Sequence, residues 1–158
     1  MRIDKIKFKN INSLKGEHEV NFGADPLKSS GIFAIIGPTG SGKSTLLDVI
    51  TLSLYNRVPR IAKTITDTVV EATGTVLTRF ADEAYATIEY STVEGSFIST
   101  WSIRRNRNGK LVSPHMELVD KKDGKPMDLK KSEVPGRNEE LIGLNYDQFV
   151  KSLSLIHI

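Results

Sequence analysis

Residues 37–45, GPTGSGKST, combine the residue types that hold a triphosphate. Gly37, Gly42, Lys43 and Ser44 fit the phosphate-loop pattern G-x-x-x-x-G-K-[ST] without a mismatch. Glycines let the backbone curl so that successive N–H groups point inward at an anion. Lys43 can bring a full positive charge to the β and γ phosphates, and the Ser44 hydroxyl is the expected Mg²⁺ ligand. The motif therefore predicts a site for ATP and Mg²⁺, with Lys43 as the catalytic candidate.

Two elements must hold this loop in place. The apolar run IFAIIG, residues 32–37, is rich in β-branched and aromatic residues, which predicts a strand buried on both faces. From Lys43 to about Tyr55 the apolar period becomes helical. The residues that share one face of this helix are Leu46, Leu47, Ile50 and Leu54. Because Val49 and Leu52 are apolar and lie off that face, we expect the helix to be buried and its N-terminus to face an anion rigidly.

The composition bounds the class of protein. A chain of 158 residues with 39% hydrophobic and 26% charged residues is typical of about one globular domain. The absence of cysteine excludes disulfides and thiolate zinc sites. The charged N-terminus lacks the apolar region of a signal peptide, and no apolar run approaches the ~20 residues that span a bilayer. These features predict a cytoplasmic protein with no membrane partner.

The net charge of +3 is unevenly distributed. Residues 1–15 hold five basic side chains and one acidic one, and residues 101–131 hold nine basic and four acidic ones. Such regions can meet a polyanion or can be ordinary solvated faces. The hairpin side chains Arg104, Arg105, Arg107 and Lys110 are the candidates for contacts with DNA phosphates.

The remaining segments predict mainly β structure. Alternating apolar residues indicate strands around Ile6 and Phe8 and across residues 17–22, 84–90 and 96–106. Residues 56–77, with Pro59 and Gly74, are expected to form a long irregular connection. Turns at 108–110 and 121–125 and a strand within 113–120 complete an antiparallel meander.

Two helical segments are expected after the meander. The helical pattern from Ser132 ends at Gly143, and Asn145 is a plausible N-cap for a last helix that contains YDQFVKSL, residues 146–153.

The chain lacks an evident catalytic acid. GTPases carry a guanine-reading N-K-x-D motif, which is absent. Most other phosphate-loop ATPases place Asp-Glu after four apolar residues, and the nearest candidates are residues 77–83 and 116–120. Polar residues interrupt the first candidate, and Glu117 interrupts the second. The sequence therefore predicts a nucleotide-binding site without the acid that hydrolysis needs.

Four separated segments carry a family resemblance. FKNINSLKG, GIFAIIGPTGSGKSTLLDVI, LTRFADEAYATIEY and GLNYDQFVKS occur in the order found at the start of SbcC-family ATPases. These are the ATPase subunits of bacterial SbcCD nucleases and are related to the SMC-like double-strand-break repair ATPases. The resemblance runs over residues 1–153 and implies the N-terminal lobe of an α/β phosphate-loop NTPase, similar to ABC ATPases. It also implies a mixed sheet with an antiparallel β-meander around the phosphate-loop helix.

The resemblance also implies partners. In this family a C-terminal lobe, which follows a long coiled coil, supplies the signature motif and the catalytic acid. Two such heads sandwich the nucleotide as a homodimer, and an SbcD-type nuclease subunit and DNA complete the complex. We therefore expect the chain alone to bind ATP but to hydrolyse it negligibly.

Individual site residues carry over by position. The nucleotide contacts implied by the family's phosphate loop are Gly37, Pro38, Thr39, Gly40, Ser41, Gly42, Lys43, Ser44 and Thr45. Asn12 and Ser13 match a turn beside the nucleotide, and Thr78 and Arg79 match a pair near the adenine side. The family's Q-loop glutamine falls at about His157, within a tail, residues 154–158, that we interpret as a truncation or a sequence artefact.

Two alternatives to the SbcC-type function remain at this point. The first is an SMC-like or ABC-type ATPase lobe with another role, in chromosome maintenance, recombination or transport. The second is a nucleotide-dependent DNA-binding module without turnover.

Overall fold

Residues 1–153, described by a computed structural model, form a six-stranded antiparallel sheet with helices against one face. The strand order is β2-β1-β3-β4-β5-β6. The strands are β1 (Arg2–Ile11), β2 (Leu14–Asn21), β3 (Glu83–Thr92), β4 (Gly95–Arg104), β5 (His115–Asp120) and β6 (Lys125–Pro126). The helices are α1 (Lys43–Tyr55), α2 (Asp67–Thr73), α3 (Val134–Ile142) and α4 (Tyr146–Ser152), with a short 3-10 helix at Leu27–Ser29.

Strand β1 shows how the alternating pattern builds the two faces of the sheet. Ile6 and Phe8 are buried in the core. Lys5 and Lys9 lie on the opposite face, because successive side chains of a strand alternate. There Lys9 Nζ lies 2.7 Å from Glu83 Oε1 of β3, so this basic side chain of the N-terminal region is paired within the protein.

Helix α1 crosses the inner face of the sheet and is almost entirely enclosed, as its all-round apolar pattern predicts. Its bounds match the predicted helix from Lys43 to about Tyr55. The largest side chains buried against it in the common core include Phe8, Ile88, Tyr90 and Trp101. The sheet and α3 therefore fix the helix that follows the glycine-rich loop.

A buried polar network holds the C-terminal end of α1. The Asn138 Nδ2 group of α3 donates to Leu54 O and to Ser99 Oγ, both at 2.9 Å, and its Oδ1 accepts from Tyr90 Oη at 2.6 Å. Ser99 Oγ in turn donates to Ser53 O at 2.6 Å. Helix carbonyls in the last turn lack intrahelical partners, so these side chains both satisfy and immobilise that end.

Several predicted elements are confirmed. Helix α3 ends at Gly143, whose φ of 78° makes it the left-handed C-cap. Asn145 caps α4 in a reciprocal capping box with Gln148. One prediction was incomplete, because residues 56–77 contain helix α2 in addition to irregular backbone. Thr66 begins that helix, since its side chain accepts from Val69 N.

The predicted buried strand at 32–37 is wrong for this chain. The segment has no regular secondary structure, and Ile32 and Ile36 are 91% and 87% exposed. Phe33 is partly covered by stacking on Phe22, with ring centroids 4.7 Å apart. A strand needs neighbours that accept its backbone hydrogen bonds, and within residues 1–153 no strand pairs with this segment. The described sheet is consequently antiparallel throughout.

Candidate functional site

The glycine-rich loop needs its glycines for conformation and for space. Gly40 and Gly42 have φ values of 82° and 93°, a region that side chains with Cβ rarely adopt. A Cβ at Gly42 would lie 3.1 Å from Leu14 Cδ1, so the loop packs directly against the β1–β2 turn. A Cβ at Gly37 would lie only 2.7 Å from Ser41 Oγ. The curled backbone that an anion requires is therefore present in the chain itself.

The loop leads directly into the N-terminus of α1. Gly42 is the N-cap residue, and its carbonyl accepts the first helical bond, from Leu46 N at 3.3 Å. The N–H groups of residues 43–45 precede that bond and have no helical acceptor. Together with the helix dipole they form an anion-binding terminus.

Lys43 lies over the loop. Its Nζ donates to Pro38 O at 2.7 Å and to Gly37 O, and it is 3.4 Å from Ser41 Oγ. These acceptors are neutral, and phosphate oxygens form stronger, charge-assisted bonds with an ammonium group. The residues present thus fit a triphosphate, because the charge of Lys43, the helix terminus and the glycine-rich loop lie together at the surface.

The first turn of α1 has two different hydroxyl residues. Ser44 is exposed, as a Mg²⁺ ligand must be, whereas Thr45 is buried. Thr45 Oγ1 accepts from Asn12 Nδ2 at 3.2 Å. Thr45 therefore faces the protein, and Ser44 is the hydroxyl that can face a ligand.

The side chain of Asn12 is committed within the protein. Its Nδ2 also donates to Asp48 Oδ2 at 2.7 Å, and its Oδ1 accepts from Val76 N at 3.1 Å. Asn12 adopts a φ of 52°, which asparagine tolerates better than most residues. The neighbouring Ser13 is exposed on the turn. The turn predicted to lie beside the nucleotide is thus held against α1 by Asn12, and it presents Ser13 to solvent.

Thr78 and Arg79 lie next to that turn. Thr78 N donates to Asn10 O at 2.9 Å. Thr78 is only 9% exposed, and its hydroxyl oxygen has no partner among the described residues. Arg79 is exposed, with its guanidinium 4.9 Å from the ring centroid of Phe80. The structure therefore brings the two predicted pairs, 12–13 and 78–79, to the same end of the sheet.

Sequence reasoning missed the ion pair between Asp48 and Arg60. Arg60 Nη2 lies 2.5 Å from Asp48 Oδ2, and the Asp48 side chain is 3% exposed. Burial raises the pKa of Asp48, and the contacts with Asn12 and Arg60 only partly oppose that shift. A single acidic residue in a helix that is otherwise largely buried, four positions after Ser44, is the signal that could have revealed it.

One of the two rejected candidates for the catalytic acid lies far from the loop. Asp120, one of the rejected candidates, pairs with Phe97, whereas β4 reaches the end of the sheet near the loop at Arg104. Seven residues of strand separate these positions, roughly 20 Å. The predicted Q-loop position, His157, lies outside the described residues, as does the rest of the 154–158 tail. Within residues 1–153, no group of three or more His, Cys, Asp or Glu side chains could hold a metal ion.

The basic hairpin is only partly available to a ligand. Arg105 Nη1 donates to Glu71 Oε1 at 2.8 Å and to Gly109 O at 2.9 Å. Arg104, Arg107 and Lys110 are exposed. Of the four side chains predicted to contact DNA, three are thus directed to solvent, and Arg105 stabilises the hairpin. Elsewhere in the described part of the chain, no helix has the length and apolarity needed to cross a membrane.

Comparison with known proteins extends these observations. A family model described as an AAA domain matches residues 5–155. The SbcC subunit of the SbcCD nuclease of Pseudomonas aeruginosa is 34% identical over 98% of this chain and 14% of that protein. Its counterpart in Bacillus subtilis is 34% identical over 95% of this chain and 13% of its own length. A probable DNA double-strand break repair Rad50 ATPase of Aquifex aeolicus is 28% identical over 98% of this chain and 14% of that protein.

A solved structure shares the fold. It comes from work titled as structural biochemistry of ATP-driven dimerization and DNA-stimulated activation of SMC ATPases, and it aligns with a TM-score of 0.61 at 15% identity. The alignment covers 99% of this chain and 93% of that one. By contrast, the chain spans about a seventh of the length of the SbcC relatives it matches.

Proposed function

Because the chain belongs to the AAA domain family, we propose that it is the ATP-binding lobe of an SbcC-type ATPase that works with a nuclease subunit in DNA double-strand-break processing. The observation that carries this proposal is the complete phosphate loop, which leads into the free N-terminus of a buried helix. The similarity to SbcC subunits over nearly the whole chain supports the assignment to double-strand-break repair. A cytoplasmic location is part of the same proposal.

In this proposal residues 37–45 hold the triphosphate of ATP. The loop N–H groups and the first N–H groups of α1 donate to phosphate oxygens, and Lys43 leaves the loop carbonyls for the β and γ phosphates. Ser44 would hold Mg²⁺, which neutralises phosphate charge when it is bound. The exposed Ser13 and Arg79 would then lie beside the ribose and base. Asn12 and Thr78 would hold the backbone that carries these two side chains.

The exposed apolar segment 32–36 supports a further part of the proposal, a C-terminal lobe of the same protein. Its composition suits a buried strand, yet Ile32 and Ile36 face solvent in this chain. We infer that strands from the missing lobe pair with it and bury it, which completes a mixed sheet. The small share of the relatives that the chain spans leaves ample length for such a lobe. A second head, an SbcD-type subunit and DNA are the remaining proposed partners.

Binding of ATP is tested by calorimetry with Mg²⁺ and the non-hydrolysable analogue AMPPNP. Substitution Lys43→Ala removes a charge-assisted contact, which should weaken binding roughly ten- to a hundredfold. Lys122→Ala, at an exposed turn, is the matched control and should bind as the wild type does. Equal affinities for the wild type and Lys43→Ala would contradict the assignment.

Turnover should be negligible for the chain alone. Hydrolysis needs a residue that orients the attacking water, and residues 1–153 offer no obvious candidate. Glu83 is paired with Lys9, and Asp82 is exposed, so these two acidic residues are the first to test if turnover is found. Steady-state phosphate release by the purified chain, with Lys43→Ala as the contamination control, measures this directly. Robust release that the substitution abolishes would show that a catalytic acid lies within the chain.

Contact with DNA phosphates is proposed for the exposed side chains of the hairpin. The double substitution Arg104→Ala and Arg107→Ala should weaken duplex binding equally for unrelated sequences and lower the salt slope by about two. Fluorescence anisotropy at several salt concentrations measures both quantities. Arg105→Ala, which removes a side chain already paired with Glu71, is the control and should change the slope less. An unchanged salt slope in the double variant would contradict DNA binding at this surface.

A further inference from the structure

Asp48 is an unusual residue for its position. It is the one acidic residue of α1, and its carboxylate is enclosed by the protein. Two side chains reach it from different parts of the chain, Asn12 from the β1–β2 turn and Arg60 from the loop after α1. Three separate segments therefore meet at a single carboxylate.

The carboxylate lies close to the anion-binding end of the helix. Asp48 follows Thr45 by three positions and Ser44 by four, so it neighbours each of them on the helix surface. Helix side chains also tilt toward the N-terminus, which brings the carboxylate over the first turn. Asn12 Nδ2 contacts Thr45 Oγ1 as well as Asp48 Oδ2. The amide of Asn12 thus bridges the first turn of α1 and the carboxylate behind it.

The same turn touches the phosphate loop. Leu14, two residues after Asn12, lies against Gly42, where an added Cβ would come within 3.1 Å of its Cδ1 atom. The route from Asp48 to the loop is therefore short, through the Asn12 amide and the turn to Leu14. Movement of the turn away from α1 would uncover Gly42, whose φ is 93°.

Folding alone does not explain a buried carboxylate here. Taking a carboxylate out of water costs free energy that an ion pair repays only partly, and apolar replacements of such pairs are often neutral or stabilising. Arg60 is half exposed, which weakens its compensation of the Asp48 charge. Burial is the largest influence on the pKa of Asp48 and disfavours the charged form. A charge kept at such a position is expected to serve the adjacent site.

We propose that Asp48 is a positioning residue for nucleotide binding that acts through Asn12. Its carboxylate fixes the Asn12 amide, the amide holds the β1–β2 turn on the first turn of α1, and Leu14 of that turn supports Gly42. Arg60 screens the carboxylate on its solvent side. This inference rests on the proposed ATP site, and it assigns a role to a residue that contacts neither the loop nor the ligand.

A double-mutant cycle on the 158-residue chain tests the proposal, with Mg²⁺ and AMPPNP as the probe. Asn12→Ala and Asp48→Ala should each weaken binding about tenfold, the usual effect of losing one charge-assisted hydrogen bond. The double variant should lose no more than either single variant, because both changes break the same connection. Asp48→Asn keeps an oxygen that can accept from Asn12 and should stay within about threefold of the wild type.

A control variant and a folding measurement make the cycle interpretable. Glu89→Gln removes a carboxylate that contacts two basic side chains, Lys5 and Lys121, on the outer face of the sheet, and it should not change binding. Thermal unfolding of each variant shows whether it folds. If Asp48→Ala does not fold, Asp48→Asn replaces it, and its smaller loss must then disappear in the Asn12→Ala background.

The outcomes separate this inference from the proposed function. Losses that multiply in the double variant, or a folded Asp48→Ala that binds like the wild type, would overturn the role of Asp48 while the ATP site stands. A wild-type chain that does not bind the probe, or that binds it no better than Lys43→Ala, overturns the ATP site and this inference together.

Discussion

Helix α1 ends at Tyr55 among buried polar side chains, whereas at Lys43 it emerges from an exposed glycine-rich loop. At the C-terminal end, Asn138 and Ser99 take up the carbonyls of Leu54 and Ser53. At the N-terminal end, the N–H groups of residues 43–45 have no helical acceptor. One helix therefore has one end with its polar groups satisfied inside the protein and one end with polar groups presented outward.

This difference indicates how a small domain could hold the proposed anion site still. Hydrogen bonds at the buried end fix the axis and rotation of α1, so its dipole and N–H groups point in a constant direction. The loop end can then depend on glycine conformations that would otherwise be free to change. At the free end, the hydrogen bond from Asn12 to Asp48 attaches the β1–β2 turn to the helix. Changes at the two ends should consequently affect different properties.

The largest effect is expected at the buried end. Asn138→Leu removes the donor to Leu54 O and the acceptor for Tyr90 Oη, and it leaves both groups buried without a partner. The free energy of unfolding should fall by roughly 3 kcal/mol, since each orphaned group costs about 1–3 kcal/mol. Urea denaturation measures the change, with the exposed hairpin substitution Asn108→Ala as the control. A loss below about 1 kcal/mol would mean that the network does not anchor the helix.

A smaller effect is expected at the free end. Gly42→Ala places a Cβ against Leu14 at a φ of 93°, so unfolding should become easier by about 1–2 kcal/mol and AMPPNP binding should weaken. The matched control is Gly136→Ala in α3, where φ is not positive and nothing lies within 4 Å of the added Cβ. That change should stabilise the protein by about 0.5–1 kcal/mol and leave binding unchanged. If Gly42→Ala and Gly136→Ala changed stability and binding equally, the structure at Gly42 would have no special role.

The smallest effect is a pH dependence of stability that comes from Asp48. Burial raises the pKa of Asp48, so the folded chain binds a proton there more readily than the unfolded chain does. At neutral pH Asp48→Asn should be as stable as the wild type or more stable, by about 1 kcal/mol or less. As pH falls through the raised pKa toward the ordinary value of 3.8, the free energy of unfolding of the wild type should rise relative to that of the variant. The difference between the two proteins should therefore shrink. Urea denaturation of both proteins from about pH 7 to pH 4 gives the difference at each pH, and a gap that widens on acidification has the wrong sign.

The sequence was informative wherever local chemistry decides structure. The bounds of α1 followed from a glycine loop ahead of an apolar helix, and α4 followed from Asn145, whose side chain caps its own helix. The phosphate loop was recognisable because its function needs fixed residue types at fixed spacing. The nucleotide contacts predicted for residues 37–45, Asn12, Ser13, Thr78 and Arg79 stay predictions.

The rest depended on partners distant in sequence. Residues 32–36 have the composition of a buried strand, but a strand forms only where another strand pairs with it. The contact between Asp48 and Arg60 joins residues across an irregular loop whose path no periodicity predicts. Helix α2 was missed because its seven residues give too short a pattern, although Thr66 is a recognisable cap.

Hydrogen exchange with and without Mg²⁺ and AMPPNP tests most directly whether the free end of α1 binds nucleotide while the buried end only anchors it. Exchange of the backbone amides should slow in residues 37–46, the proposed nucleotide site, and in the turn at 10–14, which Asn12 attaches to α1. It should stay unchanged in residues 49–55, which the core already holds, and Lys43→Ala should need roughly ten to a hundred times more nucleotide for the same slowing. Unchanged exchange in the loop at saturating nucleotide, or the same concentration dependence of the slowing in Lys43→Ala, would contradict the account.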